Sequence, residues 1–372
     1  MIYLDYAATT PCAPEVVEAM LPFFTDSFAN ASSIDHMMGS TARKAVDDAR
    51  TTIASLVGAK EEDLVFTSGS TEANNLVLWG TGRRLVLSAV EHPSVLEAVK
   101  REPQSALVLP VTEVGRVRPE QLAAALGNNE PSLVSVMHTN NETGARNDLD
   151  ALATVAHEHN ALFHSDLTQG LLEPFSFRAS PVDAASISAH KIYGPKGVGA
   201  LIAKPALRKE LRALTFGGGH ERGFRSGTLN VTGIVGFGMA AELLSARRND
   251  IVRRITEARA AFLSALQSQF RGAVTVNGDS TAEGHILSVR LHGINNRALL
   301  TLTAQELCFA LGSACATNKN QPSHVLRALG LDDRACNQTV RVSFGSNSAP
   351  AEMVRAATLM AEAANSLLNM VA

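Results

Sequence analysis

The chain of 372 residues has few cysteines, few aromatic side chains and almost no net charge. Its four cysteines are too few and too scattered for a disulfide framework or a CxxC-type metal site, so no metal site is expected. Few cysteines also favour a reducing, cytoplasmic setting. A formal net charge of −3 gives no basic field that would hold nucleic acid or an anionic membrane. These absences exclude a disulfide-stapled secreted domain and argue against direct nucleic-acid binding.

Long hydrophobic runs are also missing. The N-terminus has no basic region followed by an apolar run, so we expect no secretory signal. The most apolar stretch, residues 231–244, contains three glycines and is too short to span a bilayer. Hydrophobic residues make up 45% of the chain and charged residues 19%, which is typical of a soluble globular protein with a large core.

Short apolar runs alternate with helical patterns between residues 14 and 204. Most runs are apolar at every position, as expected of parallel strands that are covered on both faces. Seven runs are predicted as strands: residues 63–67, 84–88, 106–110, 133–137, 162–166, 184–188 and 198–203. The clearest helical pattern covers residues 39–57. The alternation predicts an α/β fold whose large domain has a mainly parallel seven-stranded sheet flanked by helices.

The pattern changes after residue 229, where a smaller α+β domain is expected. A long helical region over residues 231–270 is expected to break at the charged residues 247–250. Beyond it we predict strands at 286–291, 307–311 and 340–344, a helix at 296–305 and a last helix from residue 350. The predicted large domain comprises residues 14–248, and the predicted small domain comprises residues 1–13 and 249–372.

Polar side chains follow several of the predicted strands. In a sheet of this kind ligands bind beyond the carboxyl ends of the strands. Ser70 and Thr71 stand between a strand and a helix, where free N–H groups stabilise an anion, although a plain capped turn has the same pattern. Asp166 closes an apolar strand, where it needs a cationic or donor partner unless it only caps the next segment.

Lys191 lies in the most distinctive stretch, after an apolar strand and before a turn rich in glycine and proline. An isolated lysine is usually a surface residue. A partly desolvated one is suited to form a Schiff base with an aldehyde. An anion site, a carboxylate at a strand end and a Schiff-base lysine together are what pyridoxal phosphate needs: its phosphate held, its ring nitrogen kept protonated and its aldehyde tethered.

Seven segments resemble the motifs of one family and occur in that family's order over nearly the whole chain. They are residues 3–11, 30–36, 66–72, 140–144, 190–197, 217–228 and 312–315. On these segments the chain resembles a cysteine desulfurase of the class V aminotransferase family, which has fold type I among the pyridoxal-phosphate enzymes. The resemblance implies L-cysteine as substrate and L-alanine as product.

The resemblance implies a role for each matching residue. Lys191 would bind the cofactor's aldehyde and later carry protons, Asp166 would pair with its ring nitrogen, and His92 would stack on its ring. Gln169 and Asn141 would lie near its phenolic oxygen. The residues implied for the phosphate are Ser70, Thr71, Ser188, His190 and, from a partner subunit, Thr228.

Two further residues would act on the substrate. Arg341 matches the arginine that clamps the substrate carboxylate in the family, and Asn141 would lie beside it. Cys315 stands in a polar stretch where a thiol can be exposed and reactive, and the resemblance implies that it takes the sulfur as a persulfide. Pro322 comes seven positions after Cys315, as in the long-loop desulfurases. Cys12 and Cys336 have no matching role and are interpreted as structural.

The implied partners are a second copy of the chain, because Thr228 would reach the other active site, and a sulfur-acceptor protein. The acceptor would serve iron–sulfur cluster assembly or thio-modification. Two enzymes on the same scaffold remain alternatives, a selenocysteine lyase and an aminotransferase, although the latter needs no thiol at Cys315. A non-enzymatic alternative is an inactive homologue that acts as a sulfur carrier or assembly scaffold.

Overall fold

The computed structural model describes residues 1–100, 106–127, 130–279, 284–312 and 322–371. The helices are α1 (Pro14–Met20), α2 (Pro22–Thr25), α3 (Met37–Leu56), α4 (Ser70–Gly80), α5 (Pro93–Val99), α6 (Pro119–Ala125), α7 (Leu149–Glu158), α8 (Pro205–Arg208), α9 (Val231–Gln269), α10 (Asn296–Thr303), α11 (His324–Ala328), α12 (Asp333–Cys336) and α13 (Pro350–Val371). The strands are β1 (Ile2–Tyr3), β2 (Leu64–Thr67), β3 (Arg84–Ser88), β4 (Ala106–Leu109), β5 (Ser132–Ser135), β6 (Leu162–Asp166), β7 (Ala184–Ser188), β8 (Gly199–Ala203), β9 (Val274–Val276), β10 (Ile286–Leu291), β11 (Leu307–Cys308) and β12 (Thr339–Ser343).

A seven-stranded sheet in the order β2-β8-β7-β6-β5-β3-β4 forms the centre of the described part of the chain. Strand β8 runs antiparallel to both its neighbours, and the pairs from β7 through β4 are parallel. Every residue of β2, β5, β7 and β8 is buried, because helices cover both faces of the sheet. The predicted mainly parallel seven-stranded sheet is therefore confirmed.

The helix predicted over residues 39–57 is α3, which begins two residues earlier. The imidazole of His36 caps it by accepting a hydrogen bond from the Gly39 N–H at 3.1 Å. Its buried residues include Ala42, Val46 and Ile53, which recur at helical spacing and face the core. The amphipathic pattern therefore identified both the element and its buried face.

Helix α9 is continuous over 39 residues, so the break predicted at residues 247–250 is wrong. Charged residues there pair along the helix instead of interrupting it: Asp250 binds Arg253 and Arg254, and Arg253 also binds Glu257. Pairs three and four residues apart stabilise a helix surface, and neither glycine nor proline occurs at this point. Charge alone therefore does not end the helix.

The glycines of α9 allow other helices to pack closely against it. A Cβ on Gly238 would lie 2.8 Å from the Cβ of Ala49 in α3, and one on Gly236 would lie 2.5 Å from the sulfur of Met20 in α1. Because such contacts are too short for real side chains, glycine at these positions lets the helix axes approach. Helix α13 packs against α9 as well.

Smaller sheets lie beyond the central one. Strands β12, β10 and β9 form an antiparallel sheet, and the N-terminal β1 pairs in parallel with β11. Strands β1 and β9 were not predicted, and the strand predicted at 307–311 is limited to Leu307–Cys308. The predicted strands at 286–291 and 340–344 correspond to β10 and β12, and α10 and α13 match the two predicted helices.

The predicted boundary between residues 248 and 249 falls inside α9. The division into a large and a small domain stays a prediction. Among the helices of the described residues, none has both the length and the apolar character that a membrane crossing requires.

Candidate active site

A cavity of about 230 Å³ lies at the carboxyl ends of the strands of the central sheet. The residues predicted for the site that line it are Ser70, Thr71, His92, Asn141, Asp166, Gln169, His190, Lys191 and Arg341. Asp166 is the last residue of β6 and Arg341 lies within β12, whereas the others follow strands β2, β3, β5, β6 and β7. The parallel arrangement brings the strand ends to one edge of the sheet, so residues far apart in sequence meet there.

Three predicted site residues are not part of this lining. Ser188 ends β7 and is buried, with its Oγ 3.9 Å from the position that a Cβ on Gly69 would take. Thr228 is exposed on the surface of the chain. Cys315 lies outside the described residues, so its predicted role is not tested here.

The end of the cavity at Ser70 and Thr71 is suited to an anion. Both residues belong to the first turn of α4, whose N–H groups have no acceptor within the helix. Gly69 precedes them at a φ of 152°, a conformation that favours glycine. Burial lowers the pKa of the nearby His190 to about 4, with Lys191 and Lys196 adding to the effect, so its imidazole is neutral and acts by hydrogen bonding.

Asp166 ends β6 as a buried carboxylate at the cavity wall. Its Oδ2 accepts a hydrogen bond from Nδ2 of Asn74 at 2.8 Å, and its Oδ1 accepts one from the N–H of Thr168 at 2.9 Å. In the described part of the chain no lysine, arginine or histidine forms an ion pair with it. Because a buried charge is costly without compensation, this carboxylate is suited to pair with a cationic group in the cavity.

His92 caps helix α5, and this contact fixes the state of its ring. Its Nδ1 accepts from the N–H of Ser94 at 3.1 Å and lies 2.8 Å from the Ser94 hydroxyl. Burial lowers the pKa of His92, an effect that Asp166 opposes and Lys191 supports. The ring is therefore neutral, with its proton on Nε2, because Nδ1 is used as an acceptor.

The amine of Lys191 is held by the N-terminal segment. Its Nζ donates to the backbone carbonyls of Ala7 at 2.5 Å and Ala8 at 2.7 Å. The hydroxyl of Thr9 lies 3.1 Å from Nδ1 of His190. Sequence analysis assigned no role to these residues, and backbone carbonyls carry no signal by which it could have done so.

Arg341 is almost fully buried and is paired within the chain. Its Nη2 donates to Oδ1 of Asp5 at 2.6 Å, and its Nη1 donates to the carbonyl oxygen of Asn141 at 2.9 Å. Its Nε is buried and has no partner among the described residues. Asp5 was not predicted as a site residue, although a carboxylate in the otherwise uncharged run of residues 2–8 was a usable signal.

The side-chain amide of Gln169 is oriented from both ends. Its Oε1 lies 2.8 Å from Nε2 of His285, and its Nε2 donates to the carbonyl of Ala7 at 2.9 Å. Burial lowers the pKa of His285 to about 3, helped by Lys191 and Arg146, so the ring is neutral and donates from Nε2. His285 was also missed, because the contact joins residues that are distant in sequence.

Three residues that line the cavity each carry a buried polar atom without a hydrogen-bond partner in the described part of the chain. Buried and without a hydrogen-bond partner among the described residues are Oδ1 of Asn141, Oγ1 of Thr168 and Nε of Arg341. Buried polar groups are rarely left unsatisfied in folded proteins. At these three positions a ligand in the cavity can supply the missing partner.

Glu91 is a fully buried carboxyl group that precedes His92. Its Oε1 accepts from the Ser88 hydroxyl and from the N–H of Met137 at 2.9 Å, while its Oε2 has no partner among the described residues. Burial raises the pKa of Glu91 to about 8, and the charge of Asp166 raises it further while the two hydrogen bonds oppose the rise. Glu91 is therefore mostly protonated at neutral pH and adds little negative charge beside Asp166.

This protonation makes stability depend on pH. The folded chain keeps the Glu91 proton up to about pH 8, whereas the unfolded chain releases it near pH 4.5. The contribution of Glu91 to the free energy of unfolding therefore decreases as the pH rises from 4.5 to 8. A Glu91→Gln variant lacks this group. We expect its free energy of unfolding, relative to the parent, to rise with pH by up to about 1.4 kcal/mol per pH unit in that window.

Urea denaturation of both proteins at several pH values measures this difference. Histidines titrate equally in the two proteins and cancel from the comparison. A difference that stays constant from pH 5 to 8 would show that Glu91 is ionised in the folded protein.

The described cysteines are free and show no sign of activation. Burial raises the pKa of the Cys12 thiol, and it raises that of Cys336 to about 11. Thiols of this kind are poor nucleophiles at neutral pH, in agreement with their interpretation as structural.

The model of the family "Aminotransferase class-V" matches residues 2–355. The chain therefore belongs to the class V aminotransferase family, whose enzymes work with pyridoxal phosphate.

Similar proteins narrow the comparison to one branch of that family. The chain is 41% identical to the protein named cysteine desulfurase IscS of Anaeromyxobacter dehalogenans, over 99% of this chain and 94% of that protein. A solved structure of a "NifS-like protein" is 29% identical with a TM-score of 0.89, over 99% of both chains. A structure described as "SspA in complex with cysteine" is 31% identical with a TM-score of 0.81, over 92% of this chain and 99% of that one. The predicted resemblance to cysteine desulfurases with fold type I is confirmed.

Proposed function

We propose that this protein is a pyridoxal-phosphate-dependent cysteine desulfurase, which converts L-cysteine to L-alanine and passes the sulfur to the thiol of Cys315. The observation that carries the proposal is the single cavity in which Lys191, Asp166, His92 and Arg341 meet. The similarity to proteins named cysteine desulfurase supports the same reaction.

The residues of the cavity fit pyridoxal phosphate. Asp166 is a buried carboxylate without a cation in the described part of the chain, as a protonated ring nitrogen requires. The first turn of α4 offers N–H groups and hydroxyls to the phosphate, and Lys191 offers an amine to the aldehyde. The residues that would hold the phosphate are Ser70, Thr71, Ser188, His190 and the partner subunit's Thr228. When bound, the cofactor supplies an electron sink that labilises bonds at the substrate's α- and β-carbons.

The chain's own residues orient and protonate the substrate. Arg341 binds the substrate carboxylate through its unpartnered Nε, while Asp5 and the Asn141 carbonyl hold the guanidinium in place. The amine of Lys191 moves protons at the α-carbon. His92 is neutral, and since its Nδ1 is used as an acceptor, its Nε2 proton is available for donation.

The sulfur passes to Cys315 in a balanced step that needs no external oxidant. The thiolate of Cys315 attacks the substrate sulfur, a sulfur–sulfur bond forms, and the carbon–sulfur bond breaks. Its electron pair stays on the β-carbon, which takes up a proton and becomes the methyl group of alanine. Cysteine plus one thiol thereby gives alanine plus one persulfide.

An Arg341→Lys variant is expected to bind L-cysteine at least about tenfold more weakly while still retaining the cofactor, because lysine cannot span Asp5, the Asn141 carbonyl and the substrate at once. Steady-state kinetics should show a raised KM, and the visible spectrum should match that of the parent. A variant with an unchanged KM would exclude Arg341 as the carboxylate clamp.

The surface near Thr228 supports a homodimer. Large apolar side chains are exposed at Phe24, Phe28, Ile34 and Met37, each more than 60% accessible. Ile34 also lines a wide crevice of about 1040 Å³ next to the segment 218–222. Exposed apolar surface of this extent is typical of an interface, and a partner seated there would bring Thr228 towards the second active site.

The persulfide implies a thiol-bearing acceptor. The acceptor proposed is a protein of iron–sulfur cluster assembly or of thio-modification. A cytoplasmic, reducing setting suits this chemistry, because it keeps thiols free for sulfur transfer.

The test is to measure alanine and sulfide released from L-cysteine in the presence of a thiol reductant. Equal amounts of both products are expected, since each turnover yields one alanine and the reductant frees one sulfide from the persulfide. No alanine from a yellow, cofactor-loaded protein would overturn the proposal. Assays with selenocysteine and with an amino-group acceptor would then decide between the lyase and the aminotransferase.

A further inference from the structure

Asn74 is a fully buried amide in helix α4 that contacts two parts of the candidate site. Its Nδ2 donates to Oδ2 of Asp166 at 2.8 Å and to the hydroxyl of Ser94 at 2.9 Å. Both protons of a single amide group are therefore used, one for each contact. The residue lies outside the lining of the cavity, so it acts on the site through its neighbours.

The contact with Ser94 continues to His92. The Ser94 hydroxyl accepts from Asn74, so its own proton is free to be donated to Nδ1 of His92, 2.8 Å away. Because Nδ1 of His92 already accepts from the Ser94 N–H, the Ser94 hydroxyl is the donor in this contact, and the hydrogen bonds run from Asn74 through Ser94 to His92. Asn74 thereby orients the Ser94 hydroxyl that supports Nδ1 of His92, in addition to the Ser94 N–H.

The orientation of the Asn74 amide follows from its surroundings. Turning the amide around would place its oxygen against the Asp166 carboxylate, where two acceptors repel. The Oδ1 of Asn74 is buried and has no hydrogen-bond partner among the described residues. An unsatisfied buried oxygen costs stability, so its presence indicates that the amide is used for its two N–H groups.

We propose that Asn74 is a positioning residue that holds Asp166 and His92 in one fixed arrangement for the cofactor ring, an inference that rests on the proposed function. Asp166 would meet the ring at its nitrogen and His92 at its face. A single amide that binds both sets their relative position, so neither can shift without straining the other's hydrogen bond.

Three variants separate the two contacts. Asn74→Leu keeps the branched shape of the side chain and removes both, with Asn74→Ala as its replacement if the leucine variant does not fold. Ser94→Ala removes only the contact with His92. Asn75→Leu is the matched control, because this neighbouring amide donates to backbone carbonyls of Thr71 and Ser94 instead.

Two readouts follow the two contacts. In the cofactor-free protein, the Nδ1 resonance of His92 in nitrogen-15 NMR, identified by its absence in a His92→Gln variant, is expected to shift in Asn74→Leu and in Ser94→Ala. The dissociation constant for pyridoxal phosphate is expected to rise on the order of tenfold in Asn74→Leu, because a hydrogen bond to a charged group is lost. Asn75→Leu should keep the parental dissociation constant, and Ser94→Ala should raise it less than Asn74→Leu does, because the contact of Asn74 with Asp166 remains.

The outcomes distinguish this inference from the proposed function. If Asn74→Leu leaves both readouts at the parental values, or changes them no more than Asn75→Leu does, Asn74 has no positioning role. If the parent itself does not bind pyridoxal phosphate, the proposed function fails. The His92 resonance then still decides whether Asn74 acts on the histidine through Ser94.

Discussion

A Lys191→Ala variant is expected to release no measurable alanine from L-cysteine and to lack the visible absorption of the tethered cofactor. The methyl side chain at position 191 of the variant has no amine that could bind the cofactor's aldehyde or move a proton at the substrate's α-carbon. Loss of the proton transfer alone lowers the rate by about 10²- to 10⁴-fold, and loss of the tether adds to this. Alanine quantified by chromatography and an absorption spectrum of the purified variant check both effects.

The matched control is Lys209→Ala, which removes an exposed lysine outside the cavity. It should keep the spectrum and the rate of the parent. Since Lys191 also holds the carbonyls of Ala7 and Ala8, a thermal melt of each variant separates loss of chemistry from loss of folding. A folded Lys191→Ala protein with the parental band and full activity would refute the assignment.

A Cys315→Ala variant is expected to lose alanine and sulfide release together while it keeps the cofactor. Without the thiolate nothing attacks the substrate sulfur, so the carbon–sulfur bond is not broken and neither product forms. Mass spectrometry of the parent after one turnover without reductant should show one additional sulfur atom on the peptide that contains Cys315. The same peptide of the variant should show none.

Cys12→Ala is the control for this experiment, because burial raises the pKa of that partly exposed thiol and leaves it a poor nucleophile. It should accumulate the persulfide at Cys315 as the parent does. Two results would show that another group accepts the sulfur. One is additional sulfur on Cys12 of the parent, and the other is alanine formed by the Cys315→Ala variant at the parental rate.

The part of the site that follows the strands could be predicted from sequence. Asp166 ends a strand and Lys191 lies three residues after the next one, both strands have a recognisable apolar run, and parallel topology brings those strand ends together. The same argument predicted the anion site at Ser70. The positions of these residues along the chain were enough to predict that they meet, because parallel strands place their carboxyl ends at the same edge of the sheet.

The supporting contacts could not be predicted in this way. Asp5 binds Arg341 across 336 residues, and His285 meets Gln169 across 116. No local pattern indicates such pairs, since they depend on how β12 and β10 pack beside the central sheet. The break predicted in α9 was wrong for the opposite reason, because a local signal, the charged run, was given too much weight.

The contacts of the N-terminal segment also determine when the active site can form during synthesis. Residues 5–9 leave the ribosome long before Arg341, which is their partner in the cavity wall. At about 5 to 20 residues per second, the 336 residues between Asp5 and Arg341 take roughly 15 to 70 s to translate. The nascent chain therefore holds an incomplete cavity during this interval, and a cofactor can be captured in the finished site only after Arg341 has been made.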